Sequence, residues 1–317
     1  MAVIAVHGGA GTIPRAEIGE AGYQAARHGL RHALAAAWSI LARGGSALDA
    51  VECAVAALED DPSFNAGRGA VFNAAGDHEL DAAIMDGATL AAGAVAATRT
   101  IRNPVHAARL VMDRSDCVML VGAGADAFAR DAGLEPVAPD YFSTPMRAHF
   151  LQRAKAIESG LATPTRSEAE KHGTVGAVAL DAAGNLAAAT STGGYTNKRV
   201  GRVGDTPCIG AGTYARNDWC AVSCTGQGEF FMRHATAHDI VARMAYRGQL
   251  LETATNAAIF EDLTPHGCGA GLVAVDADGN FSMPFNTDGM YRGVVTADAR
   301  LSVGVYRDDF SFLEQLS

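Results

Sequence analysis

Strands and helices that fall in blocks, rather than in strict βαβ alternation, predict an α+β protein built in layers. Three observations carry this expectation. One apolar strand near the N-terminus is followed by two helical segments, a turn-linked strand pair occurs twice in similar form, and two adjacent helical segments lie between those pairs.

The first strand is the run Ala2-Val3-Ile4-Ala5-Val6, which ends at Gly8-Gly9-Ala10-Gly11 and reads as a buried strand entering a tight glycine loop. Residues 23–43 have helical composition. Ser46-Ala47-Leu48-Asp49 has the form of a capping box, opening a second helix to about residue 59 with Leu48, Val51, Val55 and Leu58 on one stripe. Phe64-Asn65-Ala66-Gly67-Arg68-Gly69 is too glycine-rich for regular structure. Residues 79–85 and 90–98 then read as small-residue strands of a hairpin separated by Asp86-Gly87. A Pro-initiated helix over 103–113, a strand over 117–121 and helices over 123–132 and 145–157 complete this half. Residues 158–172 contain Ser, Gly, Pro, Thr, Glu and Lys and little that can pack, which predicts a mobile linker.

Beyond the linker, residues 174–180 and 186–192 flank Asp181-Ala182-Ala183-Gly184-Asn185, a strong turn former. Residues 271–275 and 281–286 flank Asp276-Ala277-Asp278-Gly279-Asn280 in the same way, which predicts two equivalent hairpins in one sheet. A strand over 219–224, a long helix over 229–246 and another over 250–260 separate them.

A chain of 317 residues can bury a sizeable core. Its formal charge of −10 disfavours a nucleic-acid partner, because such binding draws on lysine and arginine contacts to phosphate. Apolar runs such as residues 90–97 fall far short of a membrane span, and Met1-Ala2-Val3-Ile4-Ala5-Val6 has no basic lead, so a cytoplasmic setting is expected. Six scattered cysteines agree with it: Cys220 and Cys224 on one strand would lie roughly 13 Å apart, too far to bridge.

Familiar motifs are mostly dismissed. Gly210-Ala211-Gly212-Thr213-Tyr214-Ala215 matches a dinucleotide fingerprint in form, but Asn217-Asp218-Trp219 stands where the helix must begin. His7-Gly8-Gly9 is similar to a lipase oxyanion loop, yet no Gly-x-Ser-x-Gly elbow supplies a nucleophile. His234 and His238 have ligand spacing on a helix but lack the HExxH glutamate and a third ligand, and read as surface or packing histidines. What remains is threonine among small residues. Threonine is a nucleophile chiefly where its own α-amine is free to act as base, and that amine titrates at about 7.7–8.0. The polar segment turns into a strand at His172-Gly173-Thr174-Val175-Gly176, and Gly173 tolerates the strained backbone that self-cleavage before Thr174 demands. From these residues alone, an ordinary strand start remains the other reading.

Collinear strings along almost the whole chain weaken that other reading. They are His7-Gly8-Gly9-Ala10-Gly11-Thr12, Phe64-Asn65-Ala66-Gly67-Arg68-Gly69, Asp81-Ala82-Ala83-Ile84-Met85-Asp86-Gly87, His172-Gly173-Thr174-Val175-Gly176 and Ser191-Thr192-Gly193-Gly194. Gly201-Arg202-Val203-Gly204-Asp205, Gly210-Ala211-Gly212-Thr213-Tyr214-Ala215, Ser223-Cys224-Thr225-Gly226 and Pro284-Phe285-Asn286-Thr287 continue them. With these strings the chain closely resembles the plant-type L-asparaginases, or isoaspartyl aminopeptidases, of the N-terminal nucleophile hydrolases.

The resemblance implies a single four-layer αββα sandwich over 1–317, cut by itself at Gly173–Thr174 into an α chain (1–173, with 158–173 as linker) and a β chain (174–317). It implies Thr174 as nucleophile and base, Thr192 hydrogen-bonded near it, and Thr225 with the Gly226 N–H as the oxyanion hole. Arg202 and Asp205 would hold the carboxylate and α-amine of an aspartyl substrate, asparagine or a β-aspartyl dipeptide. Asn65 would lie near the nucleophile, and backbone carbonyls including Glu59 and Phe64 would bind a structural sodium ion, with no cofactor for catalysis. Two αβ protomers would pair. Departures are Gln227 where threonine is common, Asp288 where glutamate is usual, and a varied cluster at Cys268-Gly269-Ala270, which bear on substrate preference. The alternatives are an unprocessed, non-catalytic binding protein on the same fold, and a glycosylasparaginase-like amidase, whose strand usually opens Asp-Thr-Ile-Gly instead.

Overall fold

The computed structural model describes residues 1–162 and 173–316. Its described residues form two sheets between two layers of helices. Nine strands make the larger sheet in the order β13 (Ser311–Gln315), β12 (Arg300–Gly304), β11 (Gly289–Val295), β1 (Val3–Gly11), β5 (Val175–Leu180), β6 (Leu186–Thr192), β2 (Leu80–Asp86), β3 (Ala92–Thr98) and β4 (Met119–Val121). Four make the smaller one: β10 (Phe281–Ser282), β9 (Ala270–Asp276), β8 (Cys220–Gly226) and β7 (Thr213–Ala215).

Side-chain alternation with period two builds the layers. On β1, Ile4 and Val6 join the core beneath α1 (Arg15–Leu41), α2 (Ala47–Asp60) and α3 (Pro104–Arg114), while Val3 and Ala5 face the second sheet. On β8, Cys220, Val222 and Cys224 pack beneath α6 (Gly228–His234), α7 (Thr236–Arg247) and α8 (Leu251–Asn256), and Ala221 turns inward to meet Val178, Leu186 and Val273. The order is therefore helices, sheet, sheet, helices, the αββα sandwich expected. Both faces of the central strands are buried, so their small apolar residues read as near-continuous runs.

Helix α2 begins where Ser46 accepts the Asp49 N–H at 3.1 Å, one half of the capping box. The Ala47 N–H instead goes to Asp181 of the β5–β6 turn at 3.0 Å. Its fully buried Val51, Val55 and Leu58 contribute roughly 1.5–3 kcal/mol each against the sheet. Helix α4 (Gly122–Asp131) packs beside β3 and β4, and α5 (Pro145–Glu158) starts at a Thr144 cap as its Thr-Pro sequence requires.

Three expectations are corrected. The two similar hairpins lie in different sheets, β5–β6 in the nine-stranded one and β9–β10 in the four-stranded one. A turn repeat specifies local pairing, and the faces of the strands decide which layer they join. The single helix over 229–246 is two, broken at Ala235 in left-handed geometry (φ 48°, ψ 47°). The break frees the first amides of α7 to bond the glycine loop, Ala237 N–H to Ala211 O at 3.1 Å and His238 N–H to Gly210 O at 2.8 Å. The helix over 250–260 is α8 continued by a wider π-type turn at Ala257–Leu263. Strands β7, β11, β12 and β13 were not anticipated. The linker expected over 158–173 lies, from 163 to 172, outside the described residues; residue 158 ends α5.

Candidate active site

Strand register assembles the site. The pairing Val175↔Ser191 sets Thr174, just before β5, opposite Thr192 at the end of β6, and Thr192 in turn pairs with Asp81 of β2. On the other flank, β1 pairs with β5 as far as His7↔Gly176 and its register against β11 then shifts between His7 and Gly9. That irregularity brings Gly9 (φ +111°) so close that a Cβ there would sit 3.1 Å from Gly173 Cα and 3.2 Å from Thr174 N. Glycine is thus required by conformation and by space.

The bond between Gly173 and Thr174 is held by donors aimed at its carbonyl. Asn65 Nδ2 donates to Gly173 O at 2.7 Å and Thr192 Oγ1 donates to it at 2.9 Å. The Thr174 hydroxyl donates to Thr192 Oγ1 at 3.2 Å. Asn65 is fixed in turn, since Nδ2 also reaches Gly194 O at 2.6 Å and Oδ1 accepts the Val71 N–H at 2.9 Å. Two fixed donors on one carbonyl can stabilise negative charge on that oxygen. Thr174, Thr192 and Asn65 are buried.

The carbonyl of Thr174 itself accepts from His7 Nδ1 at 3.0 Å. A carbonyl only accepts, so Nδ1 carries the proton and Nε2 accepts from Ser223 Oγ at 2.9 Å. Ser223 then receives the Thr190 hydroxyl, which receives that of Thr213, each at 2.7 Å. Burial pushes the His7 imidazolium down to about 3, so the ring is neutral and the chain of donors runs one way.

Strand β8 brings Thr225 beneath the glycine loop of β1, where its hydroxyl accepts the Ala10 N–H at 3.2 Å. Gly226 follows with φ +144°, and a Cβ there would lie 2.3 Å from Gly269 O. The loop from β6 to β7 carries Arg202 and Asp205. Asp205 is buried, its Oδ2 has no hydrogen-bond partner, and burial pushes its carboxyl up to about 7 against the pull of Arg202. Gly212 and Gly228 make room for it, since a Cβ on either would lie 2.7 Å and 2.5 Å from its oxygens. Gly212, one of the two glycines in the string that resembles a dinucleotide fingerprint, thus serves Asp205, while Gly210 takes a left-handed turn (φ +91°) against His238. The ion-pair partner of Arg202 among the described residues is not Asp205 but Glu229, whose two oxygens take Nε and Nη2 at 3.0 Å each.

The family model described as asparaginase (Asparaginase_2) matches residues 1–305. The chain belongs to the asparaginase family. It is 50% identical over 310 residues to the isoaspartyl peptidase of Salmonella typhimurium, covering 97% of this chain and 99% of that protein. The isoaspartyl peptidase of Escherichia coli is 50% identical over 312 residues, 97% of each. The isoaspartyl peptidase/L-asparaginase of Xenopus laevis is 43% identical over 308 residues, 97% of this chain and 96% of that protein. The asparaginase family is one of N-terminal nucleophile hydrolases, so this chain is a threonine hydrolase on that fold.

Among the residues named from sequence, the asparaginase-family fold brings Thr174, Thr192, Asn65 and Gly173 into direct contact. Thr225 with Gly226 and Arg202 with Asp205 stand on the adjoining strand and loop. Sequence reasoning passed over His7, quoted only as part of a glycine motif, and Glu229. Neither is legible without the fold: His7 works through Ser223, 216 positions away, and Glu229 through Arg202. His234 and His238, set aside as ligands, lie on separate helices, against His266 and Tyr214 respectively.

Proposed function

We propose that this chain cuts itself between Gly173 and Thr174 and then hydrolyses the side-chain amide of L-asparagine and the isopeptide bond of β-aspartyl dipeptides. The observation that carries the reading is the Gly173 carbonyl held by Asn65 and Thr192, with the Thr174 hydroxyl on Thr192. Attack of Thr174 Oγ on that carbonyl transfers the acyl group from nitrogen to oxygen, and water hydrolyses the ester. The products are a carboxylate on Gly173 and a free amine on Thr174.

That amine is the base for the second reaction. It takes the Thr174 hydroxyl proton as Oγ attacks the substrate amide, and returns it to the departing ammonia or amine. Thr225 Oγ1 and the Gly226 N–H would hold the oxyanion, and each such donor is worth about 2.7–4 kcal/mol. The Asp205 carboxylate, with its Oδ2 unpartnered, suits the substrate ammonium, and Arg202, steadied on one edge by Glu229, suits its carboxylate. Water activated by the same amine clears the acyl-enzyme. Names of relatives support both substrate classes: isoaspartyl peptidase in bacteria, and isoaspartyl peptidase/L-asparaginase in Xenopus laevis and Danio rerio.

A structural sodium ion in the loop after α2 belongs to this reading. A Cβ at Gly69 would lie 2.6 Å from Pro62 O and 2.8 Å from Phe64 O, and one at Gly67 2.5 Å from Glu59 O, so the two glycines let this loop turn tightly over its own carbonyls, of which Glu59 O accepts the Arg68 N–H at 2.7 Å. Such oxygens fit a hard cation. The Glu59 side chain is engaged elsewhere, accepting the Val105 N–H at the start of α3 at 3.1 Å. A cytoplasmic enzyme of two paired αβ protomers completes the proposal. Six free thiols support the compartment, and no helix among the described residues is long and apolar enough to cross a membrane.

The test is intact mass of purified protein, followed by turnover of asparagine and β-aspartyl-leucine. Two fragments divided before Thr174 and release of ammonia or leucine are expected. A persistently single 317-residue species favours the non-catalytic alternative and ends this reading.

A further inference from the structure

A cavity of about 660 Å³ meets the site at Gly9, Asn65 and Gly173. Its walls are apolar, formed by Ile13, Ile18, Phe64, Met146, Phe150 and Tyr291 from the β1–α1 region, the loop after α2, α5 and β11. Arg202, Asp205 and Thr225 take no part in its lining, so an aspartyl group held by Arg202 and Asp205 reaches Thr174 from another side. Ammonia leaving from asparagine needs no such space.

Two arginines stand in this largely apolar lining, the part-exposed Arg153, which is engaged elsewhere, and Arg147, which is buried. Arg147, at the start of α5, is only 6% exposed, and its Nε donates to Gly69 O at 2.7 Å. Among the described residues no carboxylate pairs with it. Burial lowers its guanidinium to about 10, which leaves it charged at neutral pH. A buried cation whose outer N–H groups lack an anion is costly, and an incoming carboxylate offsets that cost through charge-assisted bonds.

We infer that this cavity is the leaving-group subsite: it takes the residue released from a β-aspartyl dipeptide, seating an apolar side chain on its walls and that residue's free carboxylate on Arg147. The inference rests on the peptidase reading above and adds to it a preference for dipeptides with an apolar, unblocked C-terminal residue. No group on Arg147 reacts. It positions the leaving amine, while the bond broken is the amide attacked by Thr174 and the proton comes from the Thr174 amine.

The experiment compares β-aspartyl-leucine, β-aspartyl-leucinamide and asparagine on the processed enzyme and on Arg147→Met and Arg147→Lys. The wild type should prefer the free carboxylate over the amide roughly tenfold or more in kcat/KM, carried by KM, as expected for one charge-assisted pair. Arg147→Met should erase that preference and lower the ratio of β-aspartyl-leucine to asparagine turnover by a similar factor, and Arg147→Lys should restore part of it. Equal use of acid and amide by the wild type overturns the inference without needing any variant. So does a parallel loss on all three substrates in Arg147→Met, which would mean that the side chain only braces the Gly69 loop. A slowed self-cleavage with an unchanged ratio overturns it as well, leaving Arg147 a part in the cut at Gly173 alone. Turnover of asparagine with none of either dipeptide overturns the subsite alone, whereas a processed enzyme idle on all three sinks the proposed function itself.

Discussion

The two approaches to Thr174 differ in how far their polar groups are satisfied. On the Gly173 side, Asn65 and Thr192 already meet their acceptor, and every hydrogen bond named there is between 2.6 and 3.2 Å. On the other side, Asp205 is buried with an unpartnered oxygen, and Arg202 is pinned by a half-exposed glutamate rather than by its loop neighbour. A site whose ligand is the chain itself is complete on folding. A site whose ligand must come and go keeps unsatisfied groups, and the strain of burying them is released only on binding.

Because of that contrast, substitutions on the two sides fail differently. The largest effect is at the shared residue: Thr174→Ala should abolish both cutting and turnover, leaving one full-length band on a denaturing gel. Asn65→Ala removes a donor from the Gly173 carbonyl and should slow cutting by about 10²–10³-fold, followed as band intensity against time. Cutting at the wild-type rate would show that Thr192 alone suffices. Arg202→Lys should leave cutting intact and raise KM for asparagine roughly 10- to 100-fold, because an ammonium cannot keep Glu229 and a substrate carboxylate on one planar fork.

The smallest effect is one of pH. The Asp205 carboxyl is raised to about 7 in the free enzyme, and only its ionised form attracts the substrate ammonium. Inhibition by L-aspartate should therefore weaken as pH falls through about 7, by about tenfold per unit once well below it. A profile flat from about pH 5 to 8 would place the ionisation of Asp205 far lower. The same shift has a sign for stability. Folding raises the affinity of Asp205 for its proton, so its contribution to the ligand-free protein declines as pH rises from about 4 to about 7.

The paired hairpins show how much could be read in advance. Asp181 and Asp276 build the same turn: each Oδ1 accepts two amides, those of Ala183 and Asn185 in one case and Asp278 and Asn280 in the other. That much is local chemistry and was legible. Their second oxygens diverge, Asp181 reaching the first amide of α2 and Asp276 its own Asn280 side chain. Nothing in the two five-residue strings distinguishes these outcomes. In the same way, the positions of Thr174, Thr192, Arg202 and Asp205 were read from motifs, while the pairing of Arg202 with Glu229 and the place of His7 were not.

What the sequence determined by itself is what short range controls: strand and helix segments from their apolar periods, the two Asp turns, the Ser46 cap, and a glycine followed by a threonine at the head of a strand. Tertiary structure decided the rest, because the deciding contacts join distant positions. It put the hairpins in separate sheets, broke the helix at Ala235 so that its amides could hold the glycine loop, and set Asn65 against Gly173, 108 positions away. Burial did the remainder. It keeps His7 neutral, Asp205 poised near neutrality and the Arg147 guanidinium out of water, and burial is a property of packed layers that no single stretch of chain carries.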